Sequence, residues 1–155
     1  MSQTPHTGGC QCGAVRFAAE RLGRASICHC RMCQKAFGGL FGPMVDVEGL
    51  AWTRGAPSYF QSSNLVKRGF CAACGTPLTF ENARFPVNVA IGAFDHPDAI
   101  VPAVQVGTAF KLPYVDGLHD LASLPPSDAG WMDGYYAEVI SYQHPDHDTE
   151  TWPAR

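Results

Sequence analysis

The chain of 155 residues has few charged side chains and no long apolar segment. Charged residues make up 16% of the sequence, below the roughly one quarter that is usual in soluble domains. No stretch approaches the roughly 18 consecutive apolar residues that span a bilayer. Residues Met1 to Gly9 lack the basic start and apolar run of a secretory signal. We therefore expect a cytoplasmic protein with no membrane partner.

The sequence also lacks a block of basic side chains. Its 11 Lys and Arg residues are scattered, and the formal net charge is -3. A negative surface repels phosphate backbones, so this balance disfavours nucleic acid as a partner. We expect a small molecule as the partner instead, and no feature of the sequence decides whether the chain dimerises.

Long amphipathic helices are absent, and turn-forming residues take their place. The chain contains 16 Gly and 12 Pro, which favours short strands joined by turns. Its length suits one domain, and we expect residues 1–155 to form one, with a core over about 8–143 and a loose tail from 144 to 155. Pro125 to Asp128 is expected as a loop, and Tyr135 to Tyr142 fits strand or helix. Predicted strands lie near residues 15–17, 25–30, 41–47, 50–53, 58–61, 65–70, 77–80, 85–91 and 100–106.

Seven cysteines occur in three closely spaced groups. The groups are Cys10-x-Cys12, Cys28-x-Cys30-x-x-Cys33 and Cys71-x-x-Cys74. An odd number of cysteines at these spacings, in a chain without a secretory signal, favours metal binding over disulfides. Zinc accepts four thiolates in a tetrahedron.

The central triplet supplies only three thiolates. In an extended strand Cys28 and Cys30 face the same side, and a turn would bring Cys33 to the same point. Its fourth zinc position is therefore open or filled from elsewhere. The other two pairs together make a closed site, and each ends in a glycine, Gly13 or Gly75, that can adopt positive φ. We expect two zinc ions, although the spacing also allows the triplet to borrow a ligand from a pair.

The residues around the triplet suggest how a substrate could be held. Residues 31–37 favour a short helix whose positive end faces the thiolates. Arg31 and Lys35 either meet substrate carboxylates or are ordinary surface charges. In an extended strand the His29 side chain points to the opposite side from Cys28 and Cys30, so we exclude it as a ligand. It either supports the site, by positioning a ligand or moving a proton, or is solvated. We also exclude the His144 to Asp148 segment, because it lies in the expected tail.

Three motifs carry a resemblance to a known family. They are Gly9-Cys10-x-Cys12-Gly13-x-Val15-Arg16-Phe17, Cys28-His29-Cys30-x-x-Cys33-x-Lys35 and Arg68-x-Phe70-Cys71-x-x-Cys74-Gly75-Thr76-Pro77-Leu78. In order and spacing they resemble the glutathione-dependent formaldehyde-activating family, which is related to centromere protein V. The resemblance covers residues 8–97. Beyond them, family members usually carry a His-containing strand and a Trp, where this chain has Val104 or Gln105 and Tyr114.

The resemblance implies a mainly β fold, a small zinc-stapled tent of antiparallel sheets with short helical turns. It implies that one structural zinc is held by Cys10, Cys12, Cys71 and Cys74, and a second, open zinc by Cys28, Cys30 and Cys33. The implied activity is the addition of glutathione to formaldehyde, which gives S-(hydroxymethyl)glutathione.

The chemistry of three thiolates agrees with that activity. Three thiolates leave a divalent ion with a net charge of -1, which makes it a poor generator of hydroxide but a good site for an incoming thiol. We therefore expect a zinc-dependent carbon-sulfur lyase or glutathione-adduct-forming enzyme, with Cys28, Cys30 and Cys33 as the catalytic centre and glutathione as co-substrate. The alternative is a non-catalytic binding module in which both zincs are structural.

Overall fold

The structure, a computed structural model, describes residues 5–153 and is mainly β, as predicted. Two helices, α1 Arg31–Phe37 and α2 Pro126–Glu138, and several short 3-10 turns connect or follow the strands. The strands are β1 His6–Gly9, β2 Arg16–Ala19, β3 Arg21–Cys28, β4 Gly42–Glu48, β5 Ala51–Arg54, β6 Ser58–Gln61, β7 Val66–Phe70, β8 Pro77–Asn82, β9 Val87–Ala90 and β10 Val104–Val106.

The strands form two sheets. The smaller sheet has the order β1-β2-β5, and the larger has the order β10-β3-β4-β9-β8-β7-β6. Neighbouring strands are antiparallel except β10, which runs parallel to β3 at the edge of the larger sheet. The first cysteine pair follows β1 in the smaller sheet, and the last pair follows β7 in the larger one. Bringing these pairs together therefore joins the two sheets.

Phe17 lies at the centre of the core, with none of its surface exposed. Its ring makes edge contacts with Phe94 at 5.1 Å and Trp52 at 6.1 Å between centroids. Gly8 on the adjacent strand leaves room for this ring, since a Cβ there would lie 2.5 Å from the Phe17 ring and 2.3 Å from a backbone oxygen. Close packing of this kind leaves little space for added atoms.

Arg16 lies on the other face of β2 from Phe17, and that face is buried as well. Only 3% of Arg16 is exposed. Its guanidinium donates two hydrogen bonds to the carboxylate of Asp95, at 2.8 and 2.6 Å, and a third to Asp148 at 2.9 Å. Thr7 also donates to Asp95, at 2.6 Å. This buried ion pair ties the smaller sheet to the chain that follows β9.

We predicted a loose tail from residue 144, and that prediction is wrong for residues 144–153. The segment has no helix or strand, but His144 is only 6% exposed and its Nε2 accepts a hydrogen bond from Arg54 at 3.2 Å. Trp152 donates to the carbonyl of Cys12 at 2.6 Å. Separate hydrogen bonds to β2, β5 and the first cysteine turn hold it, and such bonds produce no periodic sequence pattern. Residues 154 and 155 lie outside the described range.

The core ends earlier than we expected. No residue from 101 to 143 is buried, and the predicted strand over 100–106 is reduced to β10. The loop predicted at Pro125 to Asp128 is instead the start of α2, because proline is compatible with the first turn of a helix. The same helix accounts for Tyr135 to Glu138. Among the described residues, no helix is long and apolar enough to cross a membrane.

The buried ion pair generates a stability prediction. Replacing Arg16 with Ala leaves the Asp95 carboxylate buried without its main partner, which should cost about 3–5 kcal/mol in the free energy of unfolding at pH 7. Urea denaturation of the two proteins measures the loss. Arg21→Ala is the matched control, because the Arg21–Glu48 pair is exposed, and it should leave the midpoint almost unchanged.

The Arg16–Asp95 ion pair should also make the loss of stability in Arg16→Ala depend on pH. Burial raises the pKa of Asp95, but hydrogen bonds from Arg16 and Thr7 outweigh burial and hold that pKa below its usual range. The pair therefore contributes its stability above the unfolded-state pKa of about 4, and this contribution is lost as the pH falls through the folded-state pKa. The stability gap between wild type and Arg16→Ala should narrow in acid. A gap that is constant from pH 7 to pH 3 would contradict this role.

Candidate metal centres and the adjoining cavity

All seven cysteines are free thiols, and the structure gathers them into two groups. Within each group the sulfurs lie within 4.8 Å of one another, and no sulfur belongs to both. The first group contains Cys10, Cys12, Cys71 and Cys74, and the second contains Cys28, Cys30 and Cys33. The histidines and aspartates of 144–148 form no such group within the described part of the chain.

The spacing of the four-cysteine group suits a tetrahedral ion. The Cys12 sulfur lies 3.6 Å from that of Cys10 and 3.9 Å from that of Cys71. Zinc–sulfur bonds of about 2.3 Å give a tetrahedron whose edges are about 3.8 Å. Gly13 and Gly75 adopt φ of 77° and 79°, which confirms the positive φ expected there. The four residues therefore fit a closed metal site between the two sheets.

The thiols of this group differ in how readily they lose a proton. Burial raises the pKa of Cys10 to about 12. Burial also opposes ionisation of Cys74, but hydrogen bonds involving Thr76 outweigh it and lower the pKa of Cys74 to about 6. Without a cation, the four sulfurs therefore do not all become thiolates at neutral pH. Binding a divalent ion would release the remaining protons.

The three-cysteine group lies where β3 ends and α1 begins. Cys28 is the last residue of β3, Cys30 caps the helix, and Cys33 is in its first turn. The backbone N–H of Cys33 donates to the Cys30 sulfur at 3.4 Å. The helix spans 31–37 and ends at Gly38 with φ of 59°, as predicted. Its N-terminal amides therefore face the sulfurs, as expected from the helix dipole.

Arg68 on β7 is a functional candidate that our sequence reasoning missed. It is 7% exposed, and its Nη2 lies 3.4 Å from the Cys33 sulfur. Ser62 accepts from its Nε at 3.0 Å, and its guanidinium lies 5.0 Å from the Phe80 ring centroid. The sequence did contain a signal for this role. Arg68 lies two residues after Val66, so both side chains face the same side of the strand, and a charged residue on an apolar face requires a partner.

Arg68 contributes to the different pKa values of Cys28 and Cys33. A hydrogen bond from the Cys33 thiol lowers the pKa of Cys28 to about 5, and the charge of Arg68 adds to this effect against burial. The same hydrogen bond, together with burial, raises the pKa of Cys33. One thiolate is therefore available at neutral pH before any cation binds.

The three sulfurs lie in the wall of a cavity of about 430 Å³. Arg24, Asp46, Arg68, Phe80 and Phe85 also line it. Among residues 5–153, no fourth His, Cys, Asp or Glu donor atom joins the three sulfurs. The cavity volume is within the range of about 300–1,000 Å³ typical of small-molecule sites. This group therefore has protein on one side and space for a ligand on the other.

His29 faces away from the sulfurs, as predicted, but it is not solvated. Only 1% of it is exposed, and its Nε2 shares a hydrogen bond of 2.9 Å with Oε1 of Gln105 on β10. The edge of its ring faces Phe41 at 5.8 Å. Gln34 of α1 donates to the carbonyls of His29 and Phe110, at 2.9 and 3.1 Å. Gln105 and Gln34 therefore position the backbone that carries the cysteines.

Arg31 and Lys35 are exposed and do not line the cysteine cavity. They line a neighbouring groove of about 380 Å³, which shares Met32, Ser62 and Arg68 with that cavity. Arg31 donates to Gln34 Oε1 at 3.1 Å. Contact of Arg31 and Lys35 with substrate carboxylates stays a prediction.

Comparison with known proteins identifies the family. A family model described as glutathione-dependent formaldehyde-activating enzyme matches residues 5–109. A solved structure of a protein from Rhodobacter sphaeroides is similar in fold, with a TM-score of 0.52 and 23% sequence identity over 64% of this chain and 99% of that chain. The family match contains both cysteine groups and ends before α2. The chain therefore belongs to the glutathione-dependent formaldehyde-activating enzyme family.

Proposed function

We propose that the protein makes and breaks the carbon–sulfur bond of a small thiol adduct at the three-cysteine site, in the manner of a formaldehyde-activating enzyme. The observation that carries the proposal is the arrangement of Cys28, Cys30 and Cys33, which have no fourth protein donor among the described residues and adjoin a cavity of about 430 Å³. A site with space for one more ligand is typical of catalytic rather than structural zinc.

We assign one zinc to each cysteine group. The four-cysteine group would hold a structural ion that joins the sheets, and the three-cysteine group would hold the working ion. When bound, the second zinc would supply a soft Lewis acid that favours an incoming thiol in its thiolate form. Both assignments rest on the donor chemistry and on the sulfur spacing.

Arg68 would balance the charge of the site. Three thiolates exceed the charge of a divalent ion by one, and the Arg68 guanidinium lies 3.4 Å from one of these sulfurs. Because Arg68 is buried, its attraction for negative charge is less screened than it would be in water. It would therefore favour the ionised form of the substrate sulfur beside the three cysteines.

The proposed reaction is addition of a thiol to formaldehyde. The thiol sulfur bonds to the carbonyl carbon, the π bond of the carbonyl opens, and the proton lost from sulfur ends on the new hydroxyl oxygen. The side chains of Phe80 and Phe85 contribute apolar surface to the cavity wall. The reverse steps break the adduct into thiol and aldehyde.

The charged residues around the cavity suit glutathione as the thiol. That tripeptide carries two carboxylates and one ammonium group at neutral pH. Arg24 lines the cavity, and Arg31 and Lys35 extend the positive surface into the adjoining groove. Asp46 supplies an acidic group for the ammonium. We assign Arg24, the basic side chain of these three that lines the cavity itself, to a carboxylate of the substrate.

Replacing Cys30 with Ser tests the working metal. The expected result is loss of turnover and a fall from about two zinc ions per chain to about one, with the fold retained. Zinc content by elemental analysis, circular dichroism, and the rate of S-(hydroxymethyl)glutathione formation above the spontaneous rate are the measurements.

Cys74→Ser is the matched control for that variant. It removes a ligand from the four-cysteine group, so it should lower the unfolding temperature as well as the zinc content. If Cys30→Ser keeps full activity on every thiol adduct tested, the proposed function is wrong. A second zinc with four protein ligands would favour a non-catalytic binding module instead.

Replacing Arg68 with Gln tests the charge balance. Partners that support a metal ligand typically contribute about 10- to 100-fold to activity, and we expect a loss of kcat/KM in that range. Arg68→Lys should recover part of it, because the charge is restored without the planar geometry. Arg84→Gln, an exposed position outside the cavity lining, should have no effect. Equal activity of the Arg68→Gln and wild-type proteins, at equal zinc content, would contradict this role.

A further inference from the structure

Residues 110–143, which we call the arm, lie beyond the family match and pack poorly on the rest of the chain. None of them is buried. The arm contains α2, in which Trp131, Tyr135 and Tyr136 are 65%, 55% and 63% exposed. A helix of 13 residues is marginal in water unless one face packs on another surface. The described chain therefore buries no residue of α2, although this helix carries three large aromatic side chains.

The exposed apolar surface of the arm is large. Besides the three aromatic residues of α2, six more large apolar side chains between residues 110 and 140 are at least 49% exposed. They are Phe110, Tyr114, Leu121, Leu124, Val139 and Ile140. At roughly 100 Å² each, these nine side chains expose on the order of 900 Å². This sum is comparable to the roughly 800 Å² per partner that a standard interface buries.

The charge of the arm indicates which surface it would cover. The arm carries five acidic residues and one basic residue, Lys111, while residues 5–109 carry nine basic and six acidic residues. Contact between two arms would bring like charges together. Contact between an arm and the body of a second copy would bring opposite charges together.

One surface of the body is complementary to the arm in charge and also exposes apolar side chains. We call it the α1 groove, lined by Arg31, Met32, Lys35, Ala36, Phe60, Ser62 and Arg68, with a volume of about 380 Å³. Met32 and Phe60 are 52% and 64% exposed. An apolar floor with basic side chains is suited to a helix that carries aromatic and acidic residues. On α2 the acidic residues are Asp128, Asp133 and Glu138.

We propose that the protein is a dimer in which α2 of each copy lies in the α1 groove of the other. In a single chain both surfaces are exposed. The carbonyl of Phe110 accepts from Gln34 of α1, so the arm leaves the body close to its own groove. A two-fold axis there places each arm beside the groove of the second copy. The exchange forms two helix–groove contacts, and it requires neither metal nor catalysis.

Sedimentation velocity of the full zinc-loaded chain tests the proposal. At micromolar concentration we expect a species of twice the 16.7 kDa chain mass. The arm variant, Asp128→Lys with Asp133→Lys and Glu138→Lys, should be monomeric. The groove variant, Arg31→Glu with Lys35→Glu, should also be monomeric. Each variant places like charges in both helix–groove contacts.

An equimolar mixture of the two variants gives the decisive result. In the mixed dimer each basic arm meets an acidic groove and each acidic arm meets a basic groove, so dimers should form again. Arg84→Glu, an exposed charge reversal outside the groove, should stay dimeric. Circular dichroism and zinc content verify that each variant is folded.

Three results would overturn the arm exchange. A monomeric wild-type protein at 100 micromolar excludes it. A groove variant that stays dimeric shows that the arms meet each other or another surface. A mixture that stays monomeric, when the wild type dimerises, shows that α2 does not bind the groove of a second copy.

Discussion

Close approach of ionisable sulfurs is the constraint on which the rest of this structure depends. Sulfurs 3.6 and 3.9 Å apart cannot all carry negative charge unless a cation lies between them. In the four-cysteine group this requirement acts between sheets, since one pair follows β1 and the other follows β7. A metal bound there would hold the smaller sheet against the larger one and so stabilise the whole fold.

Charge balance also distinguishes the two groups. The four-cysteine group supplies four sulfurs, which is the number that completes a tetrahedron. The three-cysteine group has α1 amides and the Arg68 guanidinium on one side and a cavity on the other. The two sets of sulfurs therefore differ in donor number and in the space beside them. Buried Arg16, paired with Asp95, follows the same rule that a charge inside the protein needs a partner.

The cavity and the α1 groove share Met32, Ser62 and Arg68. Any molecule in the groove would therefore lie next to the proposed reaction site. An arm from a second copy in that groove would cover one side of the cavity and reduce its contact with water. Family matching ends at residue 109, so this chain would combine the family's site with an extension of its own.

The local features of the cysteine segments could be predicted from sequence. The short helix 31–37, the positive φ of Gly13 and Gly75, and the direction of His29 away from the sulfurs all follow from spacing and backbone preference, which act over a few residues. The mainly β fold was predictable for the same reason, because turn residues separate the strands. The tail after 144, the early end of the core, and the first turn of α2 were not predicted.

Sequence alone determined which residues form the candidate metal centres, since seven cysteines at short spacings bring their own sulfurs together within each motif. Only the tertiary structure decided what surrounds them. Arg68 reaches Cys33 across 35 residues of chain, Gln105 reaches His29 across 76, and Arg16 reaches Asp95 across 79. Such contacts depend on how the sheets pair and on which side of a motif is left empty, and neither is encoded by residues that are neighbours in sequence.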